Sequence, residues 1–159
     1  MTLILGIDPG LATGIAVYDT DTLKTHWVVE TGKGIKGFRD FWKQPVGPEI
    51  GSFEHTASEN FTLRSSNKFV ADLSGVKING WLEGEELCAT FPEPIQHMTL
   101  CRLREKKDNY ADSVITKMMK EAGFPIGAGH TRMALSVAVW YAAKVLKHKP
   151  TLEMLSGRS

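Results

Sequence analysis

The sequence predicts a mixed α/β fold: a three-stranded antiparallel meander opens a sheet that parallel strands extend and helices flank. Three observations predict it. The chain begins with apolar runs separated by short turns. Later segments repeat their apolar residues at helical spacing. Strand-like stretches then alternate with those helices instead of following one another.

Residues 3–8, LILGID, are apolar with little polar alternation, the pattern of a strand buried on both faces. GLATG is a turn, IAVYD a second strand, and THWVVE a third beyond the Asp19–Asp21 turn. Short strands joined by short turns make a meander. In GIKGFRDFWKQ, Ile35, Phe38 and the Phe41-Trp42 pair share one side of a helix that PVGP ends. GSFEHTASENFTL is a strand that runs into a loop, residues 66–87 are mostly helical despite Gly75 and Gly80, and EPIQHM is a short strand. Ala111, Val114, Ile115, Met118, Met119 and Ala122 then recur at helical spacing until Gly123 stops the helix; this stripe is core packing. After the FPIGAG loop, HTRMALSVAVWYAAKVLK is apolar on most sides and should be a largely buried helix.

With 159 residues the chain has the length of one domain, expected over residues 1–150, with a flexible tail over 151–159. Hydrophobic content of 42% and charged content of 23% are those of a globular protein and exclude wholesale disorder. Cys88 and Cys101 have neither metal-ligand spacing nor a disulfide framework, so a reducing cytoplasm is the expected compartment. A basic segment followed by a long apolar core is missing from the start of the chain, and the apolar stretch near residues 134–143 is too short to span a bilayer. The net charge of +1 points neither toward nor away from nucleic acid. Arg102, Arg104, Lys106 and Lys107 form one basic run and Lys144, Lys147 and Lys149 another, each suited to phosphates or simply to solvent.

Asp8 stands at the end of the first buried strand, immediately before Pro9-Gly10. A buried carboxylate is costly unless it is paired, hydrogen-bonded or bound to a cation. It can cap the Pro-Gly turn, or the Gly10–Gly14 stretch can cradle phosphate on free amides, although no Lys completes such a loop. Glu59 ends a second predicted strand, and two acids at neighbouring strand ends suit Mg²⁺ or Mn²⁺, which take oxygen ligands. Glu54 lies at odd separation from Glu59 and faces the other side, whereas His55 shares its face. His130 opens the last long helix after a glycine-rich loop, a position that keeps it accessible for capping, packing or ligation.

Taken together, ILGIDPGLATGIAV, SENFTLR and GHTRMALSVAVWYA resemble the three motifs of the RuvC family of Holliday junction resolvases, especially its short bacteriophage-type members. Gly6-Ile7-Asp8-Pro9-Gly10 with Thr13-Gly14 carries the resemblance most specifically, and the motifs span roughly residues 3–147. The resemblance implies an RNase H-like fold and a homodimer that nicks four-way or other branched DNA in pairs, in the host cytoplasm if the chain is phage-encoded. It implies that Asp8 bridges two Mg²⁺ or Mn²⁺ ions, that Glu59 ligates one, and that His130 ligates or shuttles a proton.

The family's second helical ligand, an Asp followed by Ala, is Met133 before Ala134 in this chain. A thioether is too soft to serve Mg²⁺. Asp112 is a conceivable substitute. The resemblance also makes Phe61 a candidate wedge at the junction centre, or else a core residue, with Arg64, Lys68, Arg102, Arg104, Lys106 and Lys107 as phosphate contacts. The rivals are a more general RNase H-like nuclease, an ATPase using DPGLATG as a phosphate loop, and a non-catalytic or weakly active junction-binding protein, which Met133 favours.

Overall fold

The computed structural model describes residues 2–43, 55–59, 74–83, 96–98, 109–124 and 129–157. Among these residues the strands are β1 (Leu3–Asp8), β2 (Thr13–Asp19), β3 (Lys24–Thr31), β4 (His55–Glu59) and β5 (Gln96–Met98). The helices are α1 (Gly34–Lys43), α2 (Ser74–Glu83), α3 (Asn109–Glu121), α4 (His130–Lys144) and α5 (Lys149–Ser156). The sheet order is β3-β2-β1-β4-β5. The first three strands form the predicted antiparallel meander, and β4 and β5 extend it in parallel.

Alternation along the strands divides the core into two layers. Leu3, Leu5, Ile7, Ile15 and Val17 face Phe38 of α1 and Ile78 of α2. Phe38 meets Trp81 edge-on, with ring centroids 5.8 Å apart. Ile4, Ala16, Tyr18 and Ala57 face the other way, against Ala134, Leu135 and Ala138 of α4 and Ile115 and Met119 of α3. Because β1 and β2 are covered on both faces, every one of their residues is buried. This explains why LILGID shows almost no polar alternation.

Asp19 builds the β2–β3 turn by accepting from the Asp21 amide and the Thr22 hydroxyl, both at 2.9 Å. Of the predicted stripe, Val114, Ile115, Met118 and Met119 pack into or against the core, whereas Ala122 is exposed just beyond the helix end and the side chain of Ala111 lies outside the described residues. Where the sequence predicts a flexible tail, the structure has helix α5. Thr151 is fully buried there, and its hydroxyl lies 2.9 Å from that of Tyr18. His148 Nδ1 lies 2.8 Å from the same Thr151 oxygen. The physical reason is tertiary: a polar residue with a buried partner far away in sequence has no local signature.

Candidate active site at the ends of β1 and β4

Asp8 is the last residue of β1, in register with Gly14 of β2. On its other side β1 pairs with β4, Ile7 beside Ser58. One further step of that register sets Asp8 and Glu59, the last residue of β4, at adjacent strand ends. The two share a face. Ile4, Gly6 and Asp8 alternate toward α4, as do His55, Ala57 and Glu59. His55 shows this directly, since its Nδ1 lies 3.3 Å from the Tyr141 hydroxyl on α4.

The turn after Asp8 is braced from within. Thr13 is buried; its hydroxyl accepts from the Gly10 amide at 3.3 Å and donates to the Gly10 carbonyl at 3.0 Å. The Gly34 amide, at the start of α1, donates to the Leu11 carbonyl at 2.8 Å. Gly10 therefore spends its amide on Thr13, and Gly14 lies within the β2 ladder between Asp8 and Glu30. The phosphate-loop reading of GLATG needs those amides turned outward, and the observed bonding opposes it.

His130 enters from the other end of the chain. Its Nδ1 lies 3.2 Å from Asp8 Oδ2, across 122 residues of sequence. The Asp8 side chain is only 12% exposed and that of His130 39%, so the carboxylate lies at the floor and the imidazole at the rim. A protonated Nδ1 donates to the carboxylate and leaves Nε2 as the ring's second polar atom. Two glycines permit this approach. A Cβ on Gly6 would collide with the Ala134 carbonyl and the Ala138 side chain, and one on Gly14 would collide with the His130 carbonyl. Helix α4 therefore lies against the sheet backbone at two points of the opening motif, and the second fixes where His130 begins.

Met133 occupies the next turn of α4 and packs against the apolar cluster of α4 and the sheet. It is half-buried, as a hydrophobic residue at a cluster's margin should be. Among the described residues no three His, Cys, Asp or Glu side chains converge as a metal-binding cluster. Mg²⁺ is usually held by one or two carboxylates, with water and substrate phosphate completing its shell. By donor type and number, Asp8 and Glu59 fit that mode. Phe61, Arg64, Lys68, Arg102, Arg104, Lys106, Lys107, Glu54 and both cysteines lie outside the described residues, as does the side chain of Asp112.

A contact absent from the sequence reading is the pair Ser58–Asn79. Ser58, fully buried on the opposite face, donates to Asn79 Oδ1 at 2.6 Å, and Asn79 Nδ2 donates to the Glu59 carbonyl at 2.9 Å. Its only trace in the sequence is an Asn-Gly step inside a helix, which helix propensity does not explain.

No family model and no curated protein matches the chain. Solved structures do. A Thermus thermophilus RuvC in complex with a Holliday junction substrate superposes with a TM-score of 0.59 at 17% identity, covering 91% of this chain and 96% of that one. A second Thermus thermophilus RuvC structure superposes at 0.57 and 14% identity, with the same coverage. The fold is RuvC-like. In this RuvC-like fold the meander, the parallel β4 and the long helix α4 bring Asp8, Glu59 and His130 to one end of the sheet. Among the described residues, no helix is long and apolar enough to cross a membrane.

Proposed function

We propose that the chain is a structure-selective endonuclease that resolves four-way DNA junctions by paired, metal-dependent phosphodiester hydrolysis. One observation carries the reading: the His130 imidazole meets the nearly buried Asp8 carboxylate at 3.2 Å, where Glu59 ends the neighbouring parallel strand. Support for the substrate comes from the likeness to a RuvC whose structure contains a Holliday junction.

In this reading Asp8 and Glu59 hold a divalent cation, Mg²⁺ or Mn²⁺. The cation supplies an acidified water and offsets charge on the scissile phosphate. Asp8 is suited to the role because the strand end, Thr13 and the Gly34 amide restrain its turn. Its contact orients the His130 ring, so Nε2 can accept a proton from the attacking water or ligate the ion. Histidine suits such transfer because a neutral ring that donates through one nitrogen can accept through the other. Phe61 stacks on bases at the junction centre, while Arg64, Lys68, Arg102, Arg104, Lys106 and Lys107 neutralise phosphates. Paired nicks require two sites, and a homodimer supplies them.

The test is to incubate the chain with labelled four-way and linear duplex DNA in Mg²⁺, Mn²⁺ or EDTA. The expected result is symmetric nicks in the junction alone, and only with metal. Nicking of both substrates would replace the reading with a general RNase H-like nuclease. A specific observation favours a second reading, a junction-binding protein with little or no cleavage. Met133 stands one helical turn after His130 and packs against the core as a half-buried apolar residue. Metal-independent junction binding without nicks is the outcome that would favour it.

A further inference from the structure

We infer that Asn79 is a positioning residue for Glu59, holding the end of β4 from the face opposite the candidate site; the inference rests on the reading of Glu59 as a metal ligand. Asn79 lies within α2, where asparagine is a poor choice because its amide competes with the helix backbone. Gly80 follows it and weakens the same turn. Neither residue is there for helix stability. Asn79 is nevertheless 7% exposed, so its amide had to find partners inside the protein.

Those partners determine its orientation. Ser58 Oγ donates to Oδ1 at 2.6 Å, and Nδ2 donates to the Glu59 carbonyl at 2.9 Å. Flipping the amide would set Oδ1 against the Glu59 carbonyl oxygen, so only one orientation satisfies the group. The anchor itself is firm, since Ser58 is fully buried and its neighbour Ile7 belongs to the central strand. On the β5 side Glu59 pairs with Met98. On the β1 side the register ends at Ile7 and Ser58, one residue short of it, so the Asn79 bond adds a restraint on Glu59 at that end. A hydrogen bond to its carbonyl fixes the peptide plane after Glu59, and with it the direction in which the Cα–Cβ bond leaves the strand. Asn79 sets the aim of a carboxylate that lies on the other side of the sheet.

The test is a cycle on the full chain with Glu59→Gln, Asn79→Leu and the double variant. Mn²⁺ affinity is read by calorimetry, and kcat and KM are read on a four-way junction. Losing an outer partner of a metal ligand costs about 10- to 100-fold in metal affinity or activity. Asn79→Leu is expected to weaken Mn²⁺ binding and lower kcat on that scale while leaving KM unchanged. In the Glu59→Gln background it is expected to change nothing further. Wild-type Mn²⁺ affinity in Asn79→Leu, with Glu59→Gln impaired, would overturn the inference alone, as would equal losses in both backgrounds. Wild-type Mn²⁺ affinity in Glu59→Gln would overturn the ligand reading and the inference with it. Should Asn79→Leu fail to fold, Ser58→Ala enters the same cycle. It leaves Asn79 in place without its anchor and is expected to show the same dependence on Glu59; its absence would overturn the inference.

Discussion

The His130 carbonyl lies against the Cα of Gly14, the residue in register with Asp8 across the β1–β2 ladder. The contact joins the start of α4 to the opening motif at one of the two places where a side chain would separate them. The colliding atoms are backbone, so an added methyl cannot be absorbed by a rotamer change. Overpacking of this kind costs about 1–3 kcal/mol. Gly14→Ala is therefore expected to lower the thermal midpoint and, by lifting the helix start, to reduce junction nicking more than junction binding. Wild-type stability and nicking together would show that α4 can retreat without consequence.

Asp8→Asn preserves shape and removes the charge that would hold Mg²⁺ or Mn²⁺ in the proposed reading and that faces His130 Nδ1 at 3.2 Å. Losing one well-placed electrostatic stabiliser of a transition state costs about 10²–10³-fold. The expected outcome is a nicking rate reduced at least on that scale, with junction binding in EDTA unchanged. Cleavage at the wild-type rate would remove Asp8 from the site.

Alkaline stability reports how α5 is held. Burial raises the pKa of the Tyr18 hydroxyl to about 12; the bond with Thr151 opposes the rise and the nearby Asp19 charge adds to it. An unfolded tyrosine titrates near pH 10. Below pH 10 both states are protonated and the contribution is complete; between pH 10 and about 12 the unfolded chain alone releases its proton, so stability falls as pH rises. At 1.36 kcal/mol per unit, the loss is about 2–3 kcal/mol. Denaturant midpoints measured across that range should fall for the wild type and fall less for Tyr18→Phe. Parallel curves would separate Tyr18 from the alkaline transition.

The parts legible in the sequence are those with a local pattern. The apolar run of β1, its stop at Asp8 and the mostly apolar α4 are written in consecutive residues, and so the meander and α4 were foreseeable. His130 could be singled out as the accessible start of α4, but its distance from Asp8 depends on a packing that only glycines at positions 6 and 14 allow. Asn79 was not foreseeable, because its partners lie 20 and 21 residues earlier, on a strand facing another layer. Helix α5 escaped for the same reason, its anchor to Tyr18 spanning 133 residues.

Met133 is the residue on which the two functional readings divide. One turn after His130 on α4, it is half-buried against the apolar cluster instead of offering an oxygen to a cation. Replacing it with Asp exchanges buried apolar surface for a charge. Without metal the variant should lose about 1 kcal/mol, roughly half of what fully burying a large apolar side chain contributes. With metal, a third carboxylate near Asp8 and Glu59 should recover part of that loss, because a cation that binds only the folded state stabilises it. The expected result for Met133→Asp is a thermal midpoint below wild type in EDTA, a larger upward shift on adding Mn²⁺, and faster junction nicking. An Mn²⁺ shift no larger than that of the wild type would place residue 133 outside the metal's reach. The nuclease reading would then rest on Asp8, Glu59 and His130 alone.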